Sequence, residues 1–236
     1  MAANTVLVSG IGRSGTGYVA TVLQACGLRA AHKRVFRGGI VRPPDPRRLN
    51  GLDVEVSGFA AGHLHERAFR QLPVVQVVRH PLDWLASWLT LRYTIDYINR
   101  HLFTDYPQRT DWATTMPGTE PIACPSILHE NYGQELEIWT RWNQLVSVRA
   151  CFFFQVERMG SDEVRAIAQL AGKRAQQRLR EPVDKAMLHV PRLVNSTRAP
   201  APHCVWRQHE HLDWEDIPDS HGKILARRLG RRYGYR

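Results

Sequence analysis

The feature that most constrains the fold is a short apolar strand that leads into a glycine-rich turn and then a helix. Residues 5–9 (TVLVS) form the predicted strand, residues 10–17 (GIGRSGTG) the turn, and residues 16–26 a helix that stops at Gly27. This order points free backbone N–H groups and a helix N-terminus at one place, which makes an anion site on physical grounds alone. Four glycines together with Arg13 exceed what a purely structural turn needs.

Strands and helices alternate along the rest of the chain. Further predicted strands are residues 53–57, 74–78 and 151–156, and predicted helices are residues 64–71, 131–148, 161–172 with Ser161 as N-cap, 218–233, and one with Pro81 near its first turn. The alternation predicts an α/β fold with a mostly parallel sheet, helices on both faces and a single domain over residues 1–236. The irregular segments 104–125 and 191–211 are predicted to be loops that cover a substrate or cofactor.

The charge distribution favours an anionic ligand. The chain has 236 residues and a formal net charge of +10, and residues 223–236 carry six Lys/Arg and no acid. Residues 1–49 carry eight Lys/Arg against the single acid Asp45. Basic zones at both ends of a neutral body suit an anionic small ligand or a polyanionic surface. No helix-turn-helix or aromatic-interleaved basic motif points to nucleic acid.

The four cysteines and the hydropathy pattern set the expected compartment. Cys26, Cys124, Cys151 and Cys204 form no C-x-x-C pair, so neither a zinc site nor a secreted disulfide framework is expected. There is no signal-peptide pattern and no apolar run of 18 residues. We therefore expect a cytoplasmic protein that does not enter a membrane.

Three ligands could use the glycine-rich turn. A Walker P-loop needs Lys and then Ser or Thr after its last glycine, but Thr16 and Gly17 follow Gly15. A dinucleotide fingerprint, G-x-G-x-x-G, is present at Gly10, Gly12 and Gly15, yet residues 1–44 contain no acid for a ribose hydroxyl. Lys33 and Arg34 could instead serve the 2′-phosphate of NADP, so an NADP-dependent oxidoreductase stays an alternative. The third ligand is indicated by a second motif.

The second motif follows the predicted strand at residues 74–78 (VVQVV). Arg79 leaves the strand at the sheet edge where α/β folds bind ligands, and Ser87 follows eight residues later in the next helix, off its apolar stripe. An Arg fork and a hydroxyl are a suitable clamp for a terminal phosphate.

The two motifs together resemble those of sulfotransferases that use 3′-phosphoadenosine 5′-phosphosulfate (PAPS). The sequence GIGRSGTGYVATVL is similar to the family's 5′-phosphosulfate loop, and Arg79 with Ser87 to its 3′-phosphate motif. Residues 153–157 and the tail at residues 214–217 and 229–235 more weakly resemble small bacterial members. The R-K-G element of cytosolic sulfotransferases is absent, and Arg198 and Arg207 are candidates to replace it.

The resemblance implies a P-loop-NTPase-like three-layer fold and in-line transfer of a sulfuryl group to an acceptor hydroxyl or amine, with adenosine 3′,5′-bisphosphate as the other product and no metal required. It implies that Arg13 contacts the bridging oxygen and sulfuryl group. The residues expected to bind the donor are Gly12, Arg13, Ser14, Gly15, Thr16, Gly17, Arg79, Ser87 and Arg198. The expected acceptor is a small molecule or saccharide.

A general base must take the acceptor proton, and histidine suits neutral pH. His63 falls where cytosolic family members carry a catalytic histidine followed by leucine, so it is the first candidate. His32 is the second, and Glu55 and Glu66 come after it. A non-catalytic nucleotide- or polyanion-binding module stays open as a further alternative.

Overall fold

The computed structural model describes residues 5–36, 44–89, 132–180, 183 and 212–236. These residues belong to two compact units. Unit 1 comprises Met1–Arg79 and Val146–Ala199, and unit 2 comprises His80–Leu145 and Pro200–Arg236. Each unit is described by itself below. Within the described ranges, no helix combines the length and apolarity that a membrane crossing requires.

Unit 1 is built on a sheet whose five described strands all run parallel. The strands are β1 (Val6–Ser9), β2 (Ala30–His32), β3 (Val54–Val56), β4 (Val74–Val78) and β5 (Ala150–Gln155), in the order β2-β3-β1-β4-β5. In the register, Val8 pairs with Val56 on one side of β1, and Ser9 pairs with Gln76 on the other. The α/β class with a parallel sheet is thereby confirmed.

Valines that alternate along the strands pack against two helices on one face of this sheet. Helix α1 (Thr16–Ala25) follows β1 and helix α4 (Ser161–Ala171) follows β5. Their apolar residues share one buried cluster with alternate residues of the strands, namely Val6, Val8, Val19, Val22, Leu23, Val54, Val56, Val75, Val77, Val164 and Ile167. Burial of these aliphatic side chains is the main favourable contribution to the stability of unit 1.

The amino end of β3 is held by an ion pair. Asp53, 3% exposed, accepts hydrogen bonds from the backbone N–H of Arg29 at 2.9 Å and from Nε of Arg178 at 3.0 Å. Arg178 ends the short helix α5 (Lys173–Arg178). Nη2 of Arg178 donates to the same carboxylate. These three N–H donors satisfy its charge and tie α5 to the edge of the sheet opposite the carboxyl ends of the strands.

Unit 2 is helical in its described part. It contains α2 (Pro81–Leu89), most of α3 (Tyr132–Ser147) and α6 (His221–Arg232). Four tryptophans on α2 and α3 are buried: Trp84, Trp88, Trp139 and Trp142. Trp84 and Trp88 stack with ring centroids 5.1 Å apart, and Trp139 meets Tyr233 edge to face at 6.3 Å. Large aromatic side chains therefore supply much of the apolar core of this unit.

Several predicted boundaries need correction. Residues 64–71 form turns rather than a helix, and the helical turn before them is a 3₁₀ helix at Gly58–His63. Ser161 is the first residue of α4 and not its cap; the N-cap is Gly160, whose N–H is bound by Glu163 Oε2 at 2.8 Å. Strand β2 and helix α5 were not predicted, because each is too short for a periodic pattern to show.

Candidate functional site

The candidate site lies at the carboxyl ends of the parallel strands of unit 1. Because the strands are parallel, these ends share one edge of the sheet. Strand β1 is central, and the turn predicted to bind an anion follows it. Arg79 follows the neighbouring strand β4, and His32 is the last residue of β2. The fold therefore brings residues far apart in the sequence to the edge where α/β proteins bind ligands.

At two positions of the turn between β1 and α1, only glycine fits. A β-carbon on Gly10 would overlap the carbonyl oxygen of Val77 in β4. Gly15 has a φ of 80°, and a β-carbon there would lie 2.7 Å from Cγ2 of Val156. The backbone of the turn is thus packed against its neighbours in a conformation that other residues do not readily adopt.

Helix α1 starts without a side-chain cap. Its N-cap is Gly15, no side chain accepts a hydrogen bond from the first turn, and the first turn contains no acid. The first N–H groups of any helix have no acceptor within the helix, and they carry the positive end of its dipole. The buried Thr16 and Gly17 are the first residues of α1, so the start of this helix is suited to bind an anion.

The predicted use of Ser14 needs revision. Ser14 is among the residues predicted to bind the donor, but its backbone N–H donates to the carbonyl oxygen of Ile11 at 3.0 Å and closes the turn. The side chain of Ser14 is fully buried, and its Oγ has no hydrogen-bond partner. A buried hydroxyl without a partner is unusual in a native protein and commonly indicates an absent water or ligand.

Arg13 and Arg79 meet at the turn. Nη1 of Arg79 donates a hydrogen bond to the carbonyl oxygen of Arg13 at 3.2 Å. Arg13 itself has a φ of 73°, which is uncommon for a residue with a side chain and occurs often at functional sites. Burial lowers the pKa of Arg13, and the positive charge of Arg79 lowers it further. The two cations repel each other, and a bound anion would relieve that repulsion.

His32 lies next to the start of α1. Its Nε2 is 3.2 Å from Oγ1 of Thr16, although the two residues belong to different elements. The following residue, Lys33, has a φ of 58°, and its Nζ lies 5.0 Å from the ring centroid of Phe59. The sequence predicted His32 only as a residue after the first helix. Strand β2 explains its position, because it carries His32 to the carboxyl edge of the sheet.

His63 ends the 3₁₀ helix that follows β3. It is 2% exposed, its Nδ1 is 2.6 Å from Oε1 of Glu66, and its ring stacks on Phe36 with centroids 5.5 Å apart. A histidine held by a carboxylate has a fixed ring orientation, as a general base requires. The first residue of the same 3₁₀ helix, Gly58, lies against the turn, since a β-carbon on it would be 3.1 Å from the backbone nitrogen of Gly12.

Glu55 is a fully buried acid in the middle of β3. Its Oε1 accepts a hydrogen bond from the backbone N–H of Val35 at 3.1 Å, and its Oε2 has no partner. Burial raises the pKa of Glu55 to about 7, opposed by hydrogen bonds from the N–H groups of residues 34–36. Glu55 therefore holds the segment that follows His32, and the D-V-E-V-S pattern alone gave no sign of this contact.

The remaining predicted site residues lie outside unit 1 or outside the described ranges. Ser87 is a half-buried residue of α2 in unit 2. Arg198, Arg207 and the two predicted covering loops at 104–125 and 191–211 fall outside the described residues. Among the residues that are described, no three His, Cys, Asp or Glu side chains gather in a group that could hold a metal ion.

No family model matches the chain, and no curated protein matches it.

Proposed function

We propose that this chain is a sulfotransferase that uses PAPS as its donor. The observation that carries the proposal is the contact between Arg13 and Arg79 at the uncapped start of α1. The two residues follow the neighbouring strands β1 and β4, at the same edge of the sheet. The sequence resemblance named these same two arginines as the two anion-binding centres of the family. The proposal includes the P-loop-like form of the α/β fold.

The residues present fit a donor with two anionic ends. The N-terminus of α1 and the N–H groups of Gly15 to Gly17 would hold the 5′-phosphosulfate. The guanidinium of Arg79 uses one N–H on the Arg13 carbonyl, and an arginine has five, so others are available for the 3′-phosphate. Ser87 would add a hydroxyl to that phosphate, as the spacing of the second motif implies.

The donor supplies a sulfuryl group on a good leaving group. In the transfer, the acceptor oxygen forms a bond to sulfur while the bond from sulfur to the bridging phosphate oxygen breaks. Arg13 would stabilise the negative charge that develops on that bridging oxygen, and fixed donors of this kind lower the barrier by about 3–4 kcal/mol. The acceptor proton passes to a histidine, and adenosine 3′,5′-bisphosphate leaves with the bridging oxygen.

Two histidines are candidates for the base, and their contacts differ. His63 has the arrangement of an oriented base, because Glu66 fixes its Nδ1. His32 has a direct contact with the first turn of α1 through Thr16. We assign the base to His63 and a donor-side role to His32. A His63→Ala variant that keeps full turnover would transfer the assignment to His32.

The strand order argues against the NADP alternative. In a dinucleotide-binding sheet of order 3-2-1-4-5-6, β2 lies beside β1, so a residue at the end of β2 can reach the ribose of a nucleotide bound at β1. Here β3 separates β2 from β1. Lys33 and Arg34, which could serve a 2′-phosphate, follow β2, so they leave the sheet from a strand that is not the neighbour of β1.

Calorimetry with three nucleotides tests the proposal. We expect the full chain to bind adenosine 3′,5′-bisphosphate without magnesium, and NADPH or magnesium-ATP only weakly. An Arg13→Gln variant should lose most of this affinity. Arg67→Gln, which removes an exposed arginine of the same unit, is the matched control and should bind as the wild type does.

The outcomes separate the candidate functions. Preference for NADPH would replace the proposal by a dinucleotide-dependent enzyme. Preference for magnesium-ATP would indicate a nucleoside triphosphate site. Bisphosphate binding without hydrolysis of PAPS or transfer to any of a panel of hydroxyl and amine acceptors would leave a nucleotide-binding module and contradict the enzyme.

A further inference from the structure

Glu55 is a buried acid of unit 1 to which the proposed mechanism gives no role. It lies in β3 between Val54 and Val56, whose side chains belong to the aliphatic cluster with α1 and α4. Because side chains alternate along a strand, the side chain of Glu55 lies on the opposite face of the sheet. A fully buried carboxylate costs free energy unless hydrogen bonds satisfy its oxygens, so its partners indicate what it does.

The partners of Glu55 are backbone N–H groups of the segment that leaves β2. Oε1 of Glu55 accepts a hydrogen bond from the N–H of Val35 at 3.1 Å, and the N–H groups of Arg34 and Phe36 donate to the same carboxyl. Lys33 turns the chain out of the strand with its φ of 58°, and its N–H donates to the carbonyl oxygen of Val56 at 3.1 Å. Successive N–H groups around one anion form a nest, so the path of residues 34–36 depends on this carboxylate.

Phe36 connects this segment to His63. Phe36 is 1% exposed, and its ring stacks on the ring of His63 with centroids 5.5 Å apart and an angle of 28° between the planes. The ring of Phe36 also contacts that of Phe69, at 5.2 Å and 49°. The aromatic contact of His63 is therefore made by a residue whose own N–H is held by Glu55.

The ring of His63 is constrained from two directions. Glu66 holds one edge, since its Oε1 lies 2.6 Å from Nδ1, and Phe36 covers one face. A hydrogen bond at one nitrogen leaves the ring able to tilt about that contact, whereas an aromatic ring packed on its face removes this freedom. A group that takes a proton must be held within hydrogen-bond reach of it, so the plane of the ring matters as much as its tautomer.

We propose that Glu55 is a positioning residue for His63, because its carboxylate fixes residues 34–36 and Phe36 of that segment fixes the ring plane of the histidine. All of these residues belong to unit 1. The consequence for catalysis rests on the proposed function, in which His63 is the base. The effect on the ring of His63 does not.

Nuclear magnetic resonance of the histidine rings tests the inference on the full chain without any nucleotide. The Cε1–H resonance of His63 is assigned with His63→Ala and measured above the pKa of Glu55, which is about 7. Glu55→Met keeps a similar volume and removes both acceptor oxygens, so the resonance should move towards its position in Phe36→Leu. Glu55→Gln keeps one acceptor oxygen and should give a smaller displacement in the same direction.

Asp53→Asn is the matched control. Asp53 lies on the same strand, is also a buried carboxylate, and also accepts a hydrogen bond from a backbone N–H, that of Arg29 at 2.9 Å. Its loss should destabilise unit 1 and leave the resonance of His63 in place. Equal displacements in Asp53→Asn and Glu55→Met would mean that His63 responds to any loosening of the unit, which refutes the inference. An unmoved resonance in Glu55→Met refutes it as well, and if that variant does not fold, Glu55→Gln decides.

A double variant tests the route through Phe36. If Glu55 acts on His63 through this ring, adding Glu55→Met to Phe36→Leu should displace the resonance little further. Additive displacements would show that the two residues act independently, and the proposed route would be wrong.

Kinetics then separate the inference from the proposed function. In Glu55→Met, kcat for sulfuryl transfer should fall by roughly tenfold to a hundredfold because the base is misplaced, while the KM for PAPS and the affinity for adenosine 3′,5′-bisphosphate stay as in the wild type. If the resonance responds as expected but the wild type transfers no sulfuryl group, Glu55 still positions the ring and the sulfotransferase proposal fails. If the wild type is active and Glu55→Met keeps its full kcat, the role of Glu55 in catalysis is refuted.

Discussion

Helices α1 and α6 begin in opposite ways. Helix α6 is capped by Ser220, whose Oγ accepts a hydrogen bond from the backbone N–H of Lys223 at 3.2 Å. Helix α1 starts at Gly15, which has no side chain to offer, in a left-handed conformation and with no acid nearby in its first turn. A helix that caps itself needs nothing further, whereas one whose first N–H groups face an open edge can bind an external anion. Of the two, only the start of α1 leaves its first N–H groups without a side-chain cap, as an anion site requires.

Removal of the cation beside α1 should have the largest effect on activity. In Arg13→Gln, we expect turnover with PAPS to fall by roughly a hundred- to a thousandfold, because a fixed donor to the leaving oxygen is lost. Single-turnover kinetics of sulfuryl transfer measure this. Arg67→Gln should keep wild-type rates. If Arg13→Gln reacts normally, the start of α1 has no special role and the contrast with α6 disappears.

Each unit contains a buried glutamate whose pKa is raised by burial, and the hydrogen-bond donors that oppose this rise differ between the two. Backbone N–H groups of residues 34–36 oppose the effect of burial at Glu55 in unit 1, and its pKa is about 7. The hydrogen bond from Trp88 opposes it at Glu135 in unit 2, and burial raises the pKa of Glu135 to about 8. The folded chain therefore keeps a proton on each side chain at a pH where the unfolded chain has released it.

The sign of the pH dependence follows from these raised values. The stability due to Glu55 is fully present below pH 4.5 and is lost as the pH rises through about 7, and that due to Glu135 is lost through about 8. For Glu55 the loss is about 3 kcal/mol. Urea unfolding from pH 5 to 9 should show this decline in the free energy of unfolding. Glu55→Gln should flatten the part of the decline that ends near pH 7. An unchanged pH profile in Glu55→Gln would show that this carboxyl does not titrate there.

Two glycines with the same φ test whether packing or conformation fixes the start of α1. Gly15 has a φ of 80° and Gly51 a φ of 81°, but a β-carbon on Gly51 would meet nothing within 4 Å. Gly51→Ala should cost only the left-handed conformation, about 1 kcal/mol. Gly15→Ala should cost a further 1–3 kcal/mol or so, because Val156 must move. Equal losses of unfolding free energy in the two variants would show that the turn adjusts freely.

The smallest expected effect concerns the capped helix. Ser220→Ala should lower the free energy of unfolding by about 1 kcal/mol, since it removes one N-cap hydrogen bond. Bisphosphate affinity should be unchanged. Chemical denaturation and calorimetry on the same samples measure both quantities. A loss of bisphosphate binding in this variant would show that the start of α6 serves the donor as well.

Local patterns were enough to predict most elements of unit 1. The strand at residues 74–78 and the start of α1 at Thr16 agree with the structure residue by residue, because buried β-branched runs and glycine stops act over a few neighbouring positions. Strand β2, with three residues, was missed for the same reason: three residues carry no period. Its absence from the prediction left His32 without a defined place.

The sequence by itself determined that a strand, a glycine turn and a helix would follow one another, and that Arg79 would follow a strand. These properties depend on residues that are close in the chain. Only the tertiary structure decided that β4 lies beside β1 and that Arg79 therefore bonds the Arg13 carbonyl, 66 positions away. It also decided that Glu55 binds the segment after β2, through the backbone N–H of Val35. Such pairings depend on the order of strands and on the packing of side chains across long loops, which spacing in the sequence does not encode.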